Sequence, residues 1–344
     1  MKNTDITRII IPISQCTPGM ILMQPIVDTD SGSTILGRDQ LLTKEVLIRI
    51  QKFKHTEIWV GIKPGESLWQ VEQEVMASYR EYAAILKNIL GNDMKEIQVK
   101  LGEVDALAKS ITQEFTSNFN LLACVNLVED METDLYTHSI NVAFLSLLIA
   151  RWINYNPAKL SHLLVAALLH DVGKIDLPEQ LLNKKSDFTI QEKIEFRRHP
   201  IYGYDKLCKY NELDNEVLKA VISHHERCDG SGYPLNLNED RINDIARIIG
   251  IADEYDNLKQ SNHIFEIVKI LKCEMLRKFD INMLLEFCNN VINYYIGEEV
   301  VLNTGETAEV VFIQPHALHR PIVKVKEKYI DLYENVQIGI EKVL

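Results

Sequence analysis

The sequence predicts a mainly α-helical protein with a small β-rich module at its N-terminus and a short β extension at its C-terminus. Apolar residues recur with helical spacing through most of the chain beyond residue 100. Short apolar runs bounded by turn residues occupy residues 8–62 and 299–325 instead. The 344 residues are 46% hydrophobic and carry a net charge of -12, which is typical of a globular protein. This length corresponds to about two domains.

Composition and charge argue against several classes of protein. An acidic chain is repelled by DNA and by anionic membrane surfaces. No uncharged apolar run approaches the roughly 18 residues of a membrane span. The six cysteines are scattered without a C-x-x-C pair, so reduced thiols are expected. Because residues 1–8 lack the apolar core of a signal peptide, we expect a cytoplasmic protein that neither binds DNA nor inserts into a membrane.

Two segments precede the main domain. Residues 1–64 are predicted to form the β-rich module, in which a short helix follows Thr43 as N-cap. Residues 65–100 are predicted to form a connecting helix at 68–90, whose stripe of apolar residues either pairs two chains in a homodimer or packs on the next domain. Its members are Leu68, Val71, Val75, Tyr82, Ile85 and Ile89.

Residues 101–297 are predicted to form the main helical domain. Asp105 is expected to cap its first helix, and apolar stretches at 140–153 and 160–169 indicate two buried helices. Further helices are predicted near 189–197, 200–210, 214–226, 241–257 and 281–296. Residues 298–344 are predicted to form the β extension, with strands at 299–302, 309–313 and 322–325.

The chemically informative side chains are concentrated between residues 132 and 256. His170 and Asp171 follow an apolar helix, where an unpaired ionisable pair is costly to bury. His224 and His225 likewise follow a run of helically spaced apolar residues. Bound cations would compensate such groups. The group contains five of the ten histidines and two aspartates: His138, His170, Asp171, His199, His224, His225 and Asp253.

Imidazoles together with carboxylates suit Fe, Mn, Zn or Ni better than Mg or Ca. A carboxylate such as Asp171 can bridge two metals, and two ions about 3.5 to 4 Å apart can activate water and stabilise an in-line displacement at phosphorus. This arrangement suits phosphodiester hydrolysis. Lys174, preceded by Gly173, is placed to contact a phosphate oxygen, although a solvated lysine at a helix end would look the same in the sequence.

These residues belong to motifs that closely resemble the signature of HD-GYP domains. The motifs are His170-Asp171-Val172-Gly173-Lys174, His199-Pro200 with Gly203, and the segment HHERCDGSGYP at 224–234. Residues 246–256 are similar to the segment that follows in that family. The resemblance covers about residues 105–300, while residues 297–325 look like the β extension of such domains. The opening, with Pro18-Gly19-Met20, resembles the small N-terminal module of some members.

The resemblance implies a helical metal-dependent phosphodiesterase that linearises cyclic di-GMP to pGpG, and in some members carries it on to GMP. Attack would come from a metal-bound hydroxide. Two or three divalent ions, Fe or Mn, are implied. Carried over by position, one ion is held by His138, His170, Asp171 and Asp253, and the second by Asp171, His199, His224 and His225.

Other roles follow from the same resemblance. Lys174 would contact substrate phosphate, and Tyr233 would line the approach or meet a partner protein such as a diguanylate cyclase. A third ion would use Asp134 and Asp256, with Glu132 as the alternative carboxylate. Helical spacing places Asp134 on one face with His138, and Asp256 on one face with Asp253.

The chain departs from the family pattern in two places. Residues 259–264 lack an arginine that helps to grip the nucleotide, and Cys228 replaces a large aromatic residue. Losing a guanidinium costs about 1 to 3 kcal/mol of binding, for which Arg247 or Lys259 would compensate. Two alternative hypotheses stay open. The chain is a module that binds a cyclic dinucleotide or partner without turnover, or it hydrolyses another cyclic dinucleotide or a linear phosphodiester.

Overall fold

The computed structural model divides the chain into two units, namely Met1–Ser78 with Thr116–Ala123, and Tyr79–Phe115 with Cys124–Leu344. The boundaries expected at residues 64, 100 and 297 stay a prediction. The structure describes residues 7–13, 16, 20–24, 26–27, 34–36, 42, 46–47, 50, 57–62, 68–90, 100–115, 121–122, 125, 134–182, 184 and 187–344.

The first unit has a β-rich core, as the sequence predicts. Its described strands are β1 (Thr7–Pro12), β2 (Ile21–Leu22), β3 (Ile26–Val27), β4 (Thr34–Leu36) and β5 (Glu57–Ile62). Strand β5 lies between β1 and β2, antiparallel to both, and β3 pairs with β4. Leu47 and Ile50, from the predicted short helix, are buried with strand residues such as Leu22 and Val60. The proposed cap Thr43 lies outside the described residues.

The second unit is dominated by helices, which confirms the mainly α fold class. Helix α1 begins in the first unit and enters the second at Tyr79. The described helices are α1 (Leu68–Leu90), α2 (Leu101–Glu114), α3 (Leu135–Trp152), α4 (Leu160–Leu169), α5 (Glu179–Leu182), α6 (Ile190–Phe196), α7 (His199–Leu207), α8 (Asn215–Ser223), α9 (Asp244–Lys259), α10 (Ile264–Lys269) and α11 (Ile281–Val291). Short 3₁₀ turns are Pro157–Lys159, Val172–Asp176, Glu239–Arg241 and Ile292–Tyr295, and Ile270–Glu274 is a π-turn.

Helices α3 and α4 form the centre of this unit. Helix α3 is buried from Thr137 to Ala150, and α4 from Leu163 to Leu169. The end of α1 packs in the same unit, since the Tyr79 hydroxyl donates to Asn141 Oδ1 at 2.9 Å. None of the described helices combines the length and the apolar character needed to cross a membrane.

Helix α5 was not predicted, and two further helices differ from the sequence prediction. Helix α2 starts at Leu101, so Asp105 lies inside the helix and is not its cap. The Asp105 carboxylate instead accepts a hydrogen bond from Ser161 and pairs with Lys109. Helix α10 was not predicted, because a six-residue helix is too short to display a clear period.

The C-terminal sheet contains more strands than the three predicted. Its described strands are β6 (Glu299–Leu302), β7 (Thr307–Phe312), β8 (Ile322–Val325), β9 (Lys328–Asp331) and β10 (Ile340–Val343). They pair in the antiparallel order β10-β6-β7-β8-β9, which confirms the β extension. Strands β9 and β10 are largely exposed and lack the apolar alternation that identifies the other three.

The packing around α11 is expected to protect one cysteine from chemical modification. Cys288 on α11 is buried, whereas Cys208 and Cys273 are exposed. Burial raises the pKa of the Cys288 thiol to about 12, so its reactive thiolate is rare at about pH 8. We expect iodoacetamide to alkylate Cys208 and Cys273 in the native chain and Cys288 only after unfolding. Peptide mass spectrometry measures this, and equal rates at Cys288 and Cys208 would contradict the packing.

Candidate metal centre

The predicted ligand side chains lie where helices of the second unit begin or end, or on α9. His138 lies in the first turns of α3, whose start is fixed by reciprocal bonds between Asp134 and Thr137. His170 and Asp171 directly follow α4, and His199 is the first residue of α7. His224 and His225 follow α8, while Asp253 lies on α9. These seven side chains converge and are called the histidine–aspartate cluster below.

Asp171 lies at the centre of this cluster, and its two carboxylate oxygens face different imidazoles. Asp171 Oδ2 lies 3.4 Å from the Nε2 atoms of both His138 and His170. Asp171 Oδ1 lies 3.2 Å from His199 Nε2 and 3.8 Å from His224 Nε2. A carboxylate with one pair of imidazoles on each oxygen has the arrangement required of a bridge between two cations.

Asp253 makes a second connection across the cluster. Its Oδ1 lies 3.2 Å from His138 Nε2, and its Oδ2 lies 3.4 Å from His225 Nδ1. The Asn257 amide also donates to Asp253 Oδ1 at 2.8 Å. Asp253 on helix α9 therefore faces the same space as Asp171.

Main-chain carbonyl groups orient three of the imidazoles. The Nδ1 atoms of His170, His199 and His224 each lie 2.7 Å from the carbonyl oxygen three residues earlier. A carbonyl oxygen only accepts, so each Nδ1 carries the proton and each Nε2 presents a lone pair to the cluster. His199 Nε2 and His224 Nε2 lie 3.4 Å apart, and two lone pairs cannot bond to each other. A cation between them would satisfy both.

His138 is oriented by a side chain. Its Nδ1 lies 2.7 Å from Asp256 Oδ2, which leaves Nε2 directed at Asp171 and Asp253. The Asn141 amide donates to the other Asp256 oxygen at 2.9 Å. Metal-binding histidines ordinarily have such a carboxylate or carbonyl partner on the second ring nitrogen.

The cluster is almost completely buried, and several of its polar atoms lack a hydrogen-bond partner among the described residues. Leaving a buried polar atom unpaired costs about 1 to 3 kcal/mol, so several at one place require compensation. Divalent cations would supply it, and the residues therefore fit a metal centre. These atoms are His138 Nε2, His170 Nε2, Asp171 Oδ1, His225 Nε2 and Asp253 Oδ2.

The protonation states suit metal binding. Burial holds the pKa of His224 and of His225 well below the ordinary histidine value, which favours the neutral, ligand-competent imidazole. Burial alone would raise the pKa of Asp171, but the charge of Lys174 and contact with His170 hold it well below its ordinary value. Asp171 is therefore an anion at neutral pH.

Opposing effects act on His138. Burial lowers its pKa, but the carboxylates of Asp253 and Asp256 outweigh this and raise it to about 10. Burial likewise opposes ionisation of Asp253, yet the contact with His138 holds the pKa of this carboxyl well below its usual range. The site thus attracts positive charge to His138 Nε2, where a bound cation would replace the proton.

The possible ligand atoms fall into two groups that share Asp171. Within each group, one ligand atom per residue lies within 4.8 Å of the others. Asp253 borders both, through His138 and His225. This donor set of imidazoles and carboxylates suits ions such as Fe and Mn. The groups are His138, His170 and Asp171, and Asp171, His199, His224 and His225.

Lys174 lies at the edge of the cluster. Its Nζ contacts Asp171 Oδ2 and lies 5.5 Å from the centre of the Phe196 ring. The side chain remains 19% exposed, so Nζ has access to solvent and to the cluster. This position suits an ammonium group that binds an anionic substrate.

Tyr233 forms a wall of the cluster. Its ring stacks on His225, with centroids 4.6 Å apart and an interplanar angle of 27°.

Glu226 fixes the loop that follows Tyr233, because its buried carboxylate accepts hydrogen bonds from the N–H groups of Leu235 and Leu237 at 2.6 and 2.8 Å. This role of Glu226 was not predicted, although a carboxylate next to two histidines at a helix end is a signal in the sequence.

The described residues that were predicted to bind a third ion have other contacts in the structure. Asp134 is exposed, and its Oδ1 accepts from the N–H groups of Tyr136 and Thr137 as a helix cap. Both Asp256 oxygens are engaged, as described above. Glu132 lies outside the described residues. A third ion at these positions stays a prediction.

The two cations expected to replace the missing arginine also have other contacts. Arg247 lies in the first turn of α9, where it pairs with Asp280 at 3.3 Å and donates to the Glu239 carbonyl. Lys259 donates to the Val125 carbonyl oxygen. None of these contacts is with the cluster, and a substrate contact of Arg247 or Lys259 stays a prediction.

One supporting residue was missed in the sequence. Asn141 lies on α3 within a run that was interpreted only as apolar. Its side chain connects the Tyr79 hydroxyl to Asp256, and through Asp256 to His138. A lone amide inside an apolar helix was the available signal, because such a group is rarely buried without partners.

Comparison with known proteins agrees with this geometry. The HD domain family model matches residues 135–258, from the start of α3 almost to the end of α9, and includes every residue of the cluster. A cyclic di-GMP phosphodiesterase of Pseudomonas aeruginosa is 31% identical over 211 residues, which cover 59% of this chain and 51% of the relative. A 3'3'-cGAMP-specific phosphodiesterase of Vibrio cholerae is 39% identical over 94 residues, or 27% of this chain and 18% of the relative.

The chain thus spans about half the length of the first relative and a smaller part of the second. An HDG"Y"P protein from Bdellovibrio bacteriovorus of solved structure has a TM-score of 0.42 at 18% identity, and the match covers 83% of this chain and 99% of that chain. Residues 135–258 therefore match the HD domain family, and the resemblance of the motifs to the HD-GYP family is confirmed.

Proposed function

We propose that the chain is a metal-dependent phosphodiesterase that hydrolyses cyclic di-GMP to pGpG, with GMP as the product of a second hydrolysis. One observation carries this proposal: imidazoles with fixed Nε2 lone pairs converge on two buried carboxylates that lack sufficient partners. A Pseudomonas relative that carries the name of this activity is similar to 59% of the chain.

We propose two divalent ions, Fe or Mn, at this centre. When bound, such a pair supplies an activated water and positive charge for the phosphoryl oxygens. The chain supplies the ligands from helix α9 and from the places where other helices of the second unit begin or end. One ion would be held by His138, His170, Asp171 and Asp253, and the other by Asp171, His199, His224 and His225.

The surrounding residues bind and orient the substrate in this proposal. Lys174 Nζ donates to a phosphate oxygen, because it combines partial exposure with contact to Asp171. Tyr233 covers His225, and Phe196 lies edge-on to His199 with centroids 5.5 Å apart. These rings limit access of bulk water from their sides and thereby strengthen the electrostatic interactions inside the cluster.

A second candidate substrate is 3'3'-cGAMP. The observation in its favour is the identity of 39% with a relative named for that specificity. The two cyclic dinucleotides share both phosphodiesters and differ in one base. The cluster described above contacts phosphate rather than bases, and so it favours neither of them.

The decisive experiment measures turnover and metal dependence together. The full chain, purified without oxygen and loaded with Mn or Fe, is incubated with cyclic di-GMP, with 3'3'-cGAMP and with linear pGpG. We expect conversion of cyclic di-GMP to pGpG, resolved by chromatography, and loss of that conversion after chelation. A faster rate with 3'3'-cGAMP would favour the second substrate. Metal-loaded protein that binds cyclic di-GMP without cleaving it would support the binding-module hypothesis instead.

The remaining expectations concern partners and location. We propose a homodimer through the helix at 68–90, a diguanylate cyclase-type partner, and action in the cytoplasm. In the second half of the stripe, Tyr82 and Ile89 are buried in the second unit. Tyr82 also contacts Phe115, with ring centroids 6.1 Å apart. A homodimer would therefore have to use residues nearer Leu68, whose side chains lie outside the described set.

A further inference from the structure

We propose that Arg197 binds the second phosphate of the cyclic dinucleotide, the one that is not being cleaved. This inference rests on the proposed function. It concerns a residue other than Arg247 and Lys259, which the sequence suggested as replacements for the missing arginine.

The position of Arg197 supports this role. Arg197 immediately follows α6 and precedes His199 by two residues. Its guanidinium carbon lies 5.1 Å from the centre of the Tyr233 ring. Tyr233 in turn stacks on His225 of the cluster. The guanidinium is therefore separated from the proposed metal ligands by a single aromatic ring.

Arg197 is also an available cation. It is exposed, and among the described residues its side chain has no ion pair or hydrogen bond. Neighbouring arginines differ, because Arg198 pairs with Glu195 at 3.4 Å and Arg227 pairs with Glu254 at 2.8 Å. Binding phosphate at Arg197 would thus break no existing ion pair.

The substrate requires a second positive site. A cyclic dinucleotide carries two phosphodiester charges, and the chain has a net charge of -12. In the proposed function, Lys174 and the ions held by the cluster would neutralise one phosphate. A guanidinium binds phosphate through two parallel hydrogen bonds, and it can do so while its plane stays on an aromatic ring. Arg197 supplies such a guanidinium, and it lies over the ring of Tyr233.

The test compares substrates that have one and two phosphodiesters. With metal-loaded full chain, Arg197→Gln should raise KM for cyclic di-GMP about tenfold to a hundredfold and change kcat less than about twofold. Hydrolysis of bis(p-nitrophenyl) phosphate, which has a single phosphodiester, should stay at the wild-type rate. Arg197→Lys should restore part of the affinity, because it keeps the charge but loses the bidentate geometry.

Arg198→Gln is the matched control, since it removes the adjacent and already paired arginine. Its KM should equal that of the wild type. If wild-type protein cleaves cyclic di-GMP and Arg197→Gln leaves KM unchanged, the inference is wrong and the proposed function stands. An equal loss on bis(p-nitrophenyl) phosphate would also overturn it, because Arg197 would then act by positioning Tyr233. Wild-type protein that cleaves bis(p-nitrophenyl) phosphate but no cyclic dinucleotide would overturn the proposed function itself.

Discussion

Asp171→Asn should abolish metal-dependent hydrolysis of cyclic di-GMP, with kcat lowered at least about a thousandfold. The native carboxylate places one oxygen near His138 and His170, and the other near His199 and His224. An amide has one oxygen, no charge, and an NH₂ group that offers donors in place of the second acceptor. It cannot bridge two cations.

The measurement is turnover of the metal-loaded variant, together with its metal content. Asp176→Asn is the matched control, because Asp176 lies at the end of the same 3₁₀ turn and pairs with Lys206 at 3.0 Å. The control should keep wild-type activity, and circular dichroism should show the same helix content in both variants. Activity above about a tenth of wild type in Asp171→Asn would exclude this carboxylate as the bridge.

Gly173→Ala should destabilise the second unit by about 3 kcal/mol and also impair activity. A Cβ at residue 173 would overlap the carbonyl oxygen of His199 and the backbone nitrogen of Gly203. Both neighbours are main-chain atoms of α7, so no side chain can rotate away. The turn that follows Asp171 would have to separate from the helix that begins at His199, and the two parts of the cluster would move apart.

Urea unfolding monitored by circular dichroism measures this loss. Gly102→Ala is the control, because a Cβ there has nothing within 4 Å and the residue lies in α2. Alanine is the better helix former, so the control should be unchanged or stabilised by up to about 1 kcal/mol. An unfolding midpoint for Gly173→Ala equal to that of wild type would show that α7 tolerates displacement at this contact.

The sequence revealed those features of the centre that depend on residue type and local order. Burying His170 and Asp171 beside an apolar helix carries a cost, and this cost alone indicated cations. The sequence also predicted α3, α4 and α9 to be helices, because their apolar runs are long. The three-residue helical step places Asp256 on the face of α9 that carries Asp253.

Other features depended on contacts between distant segments, which a local pattern does not encode. Helical spacing places Asp256 near the site, but it does not show that the Asp256 carboxylate is hydrogen-bonded to His138 Nδ1. The pairing of Arg247 with Asp280 joins residues 33 positions apart. The proximity of Arg197 to the cluster depends on Tyr233, whose ring contacts both the Arg197 guanidinium and His225.

The hydrogen bonds on the Nδ1 atoms have a consequence for how this sequence can diverge. His170, His199 and His224 are held by carbonyl groups, which every amino acid possesses, so replacing the residue that supplies them leaves the ring orientation intact. His138 depends on Asp256, an acidic side chain that mutation can remove or neutralise. A point substitution at Asp256 can therefore change the orientation of His138 and with it the metal that the site prefers. Substitutions do not remove the carbonyl groups that orient the other three rings.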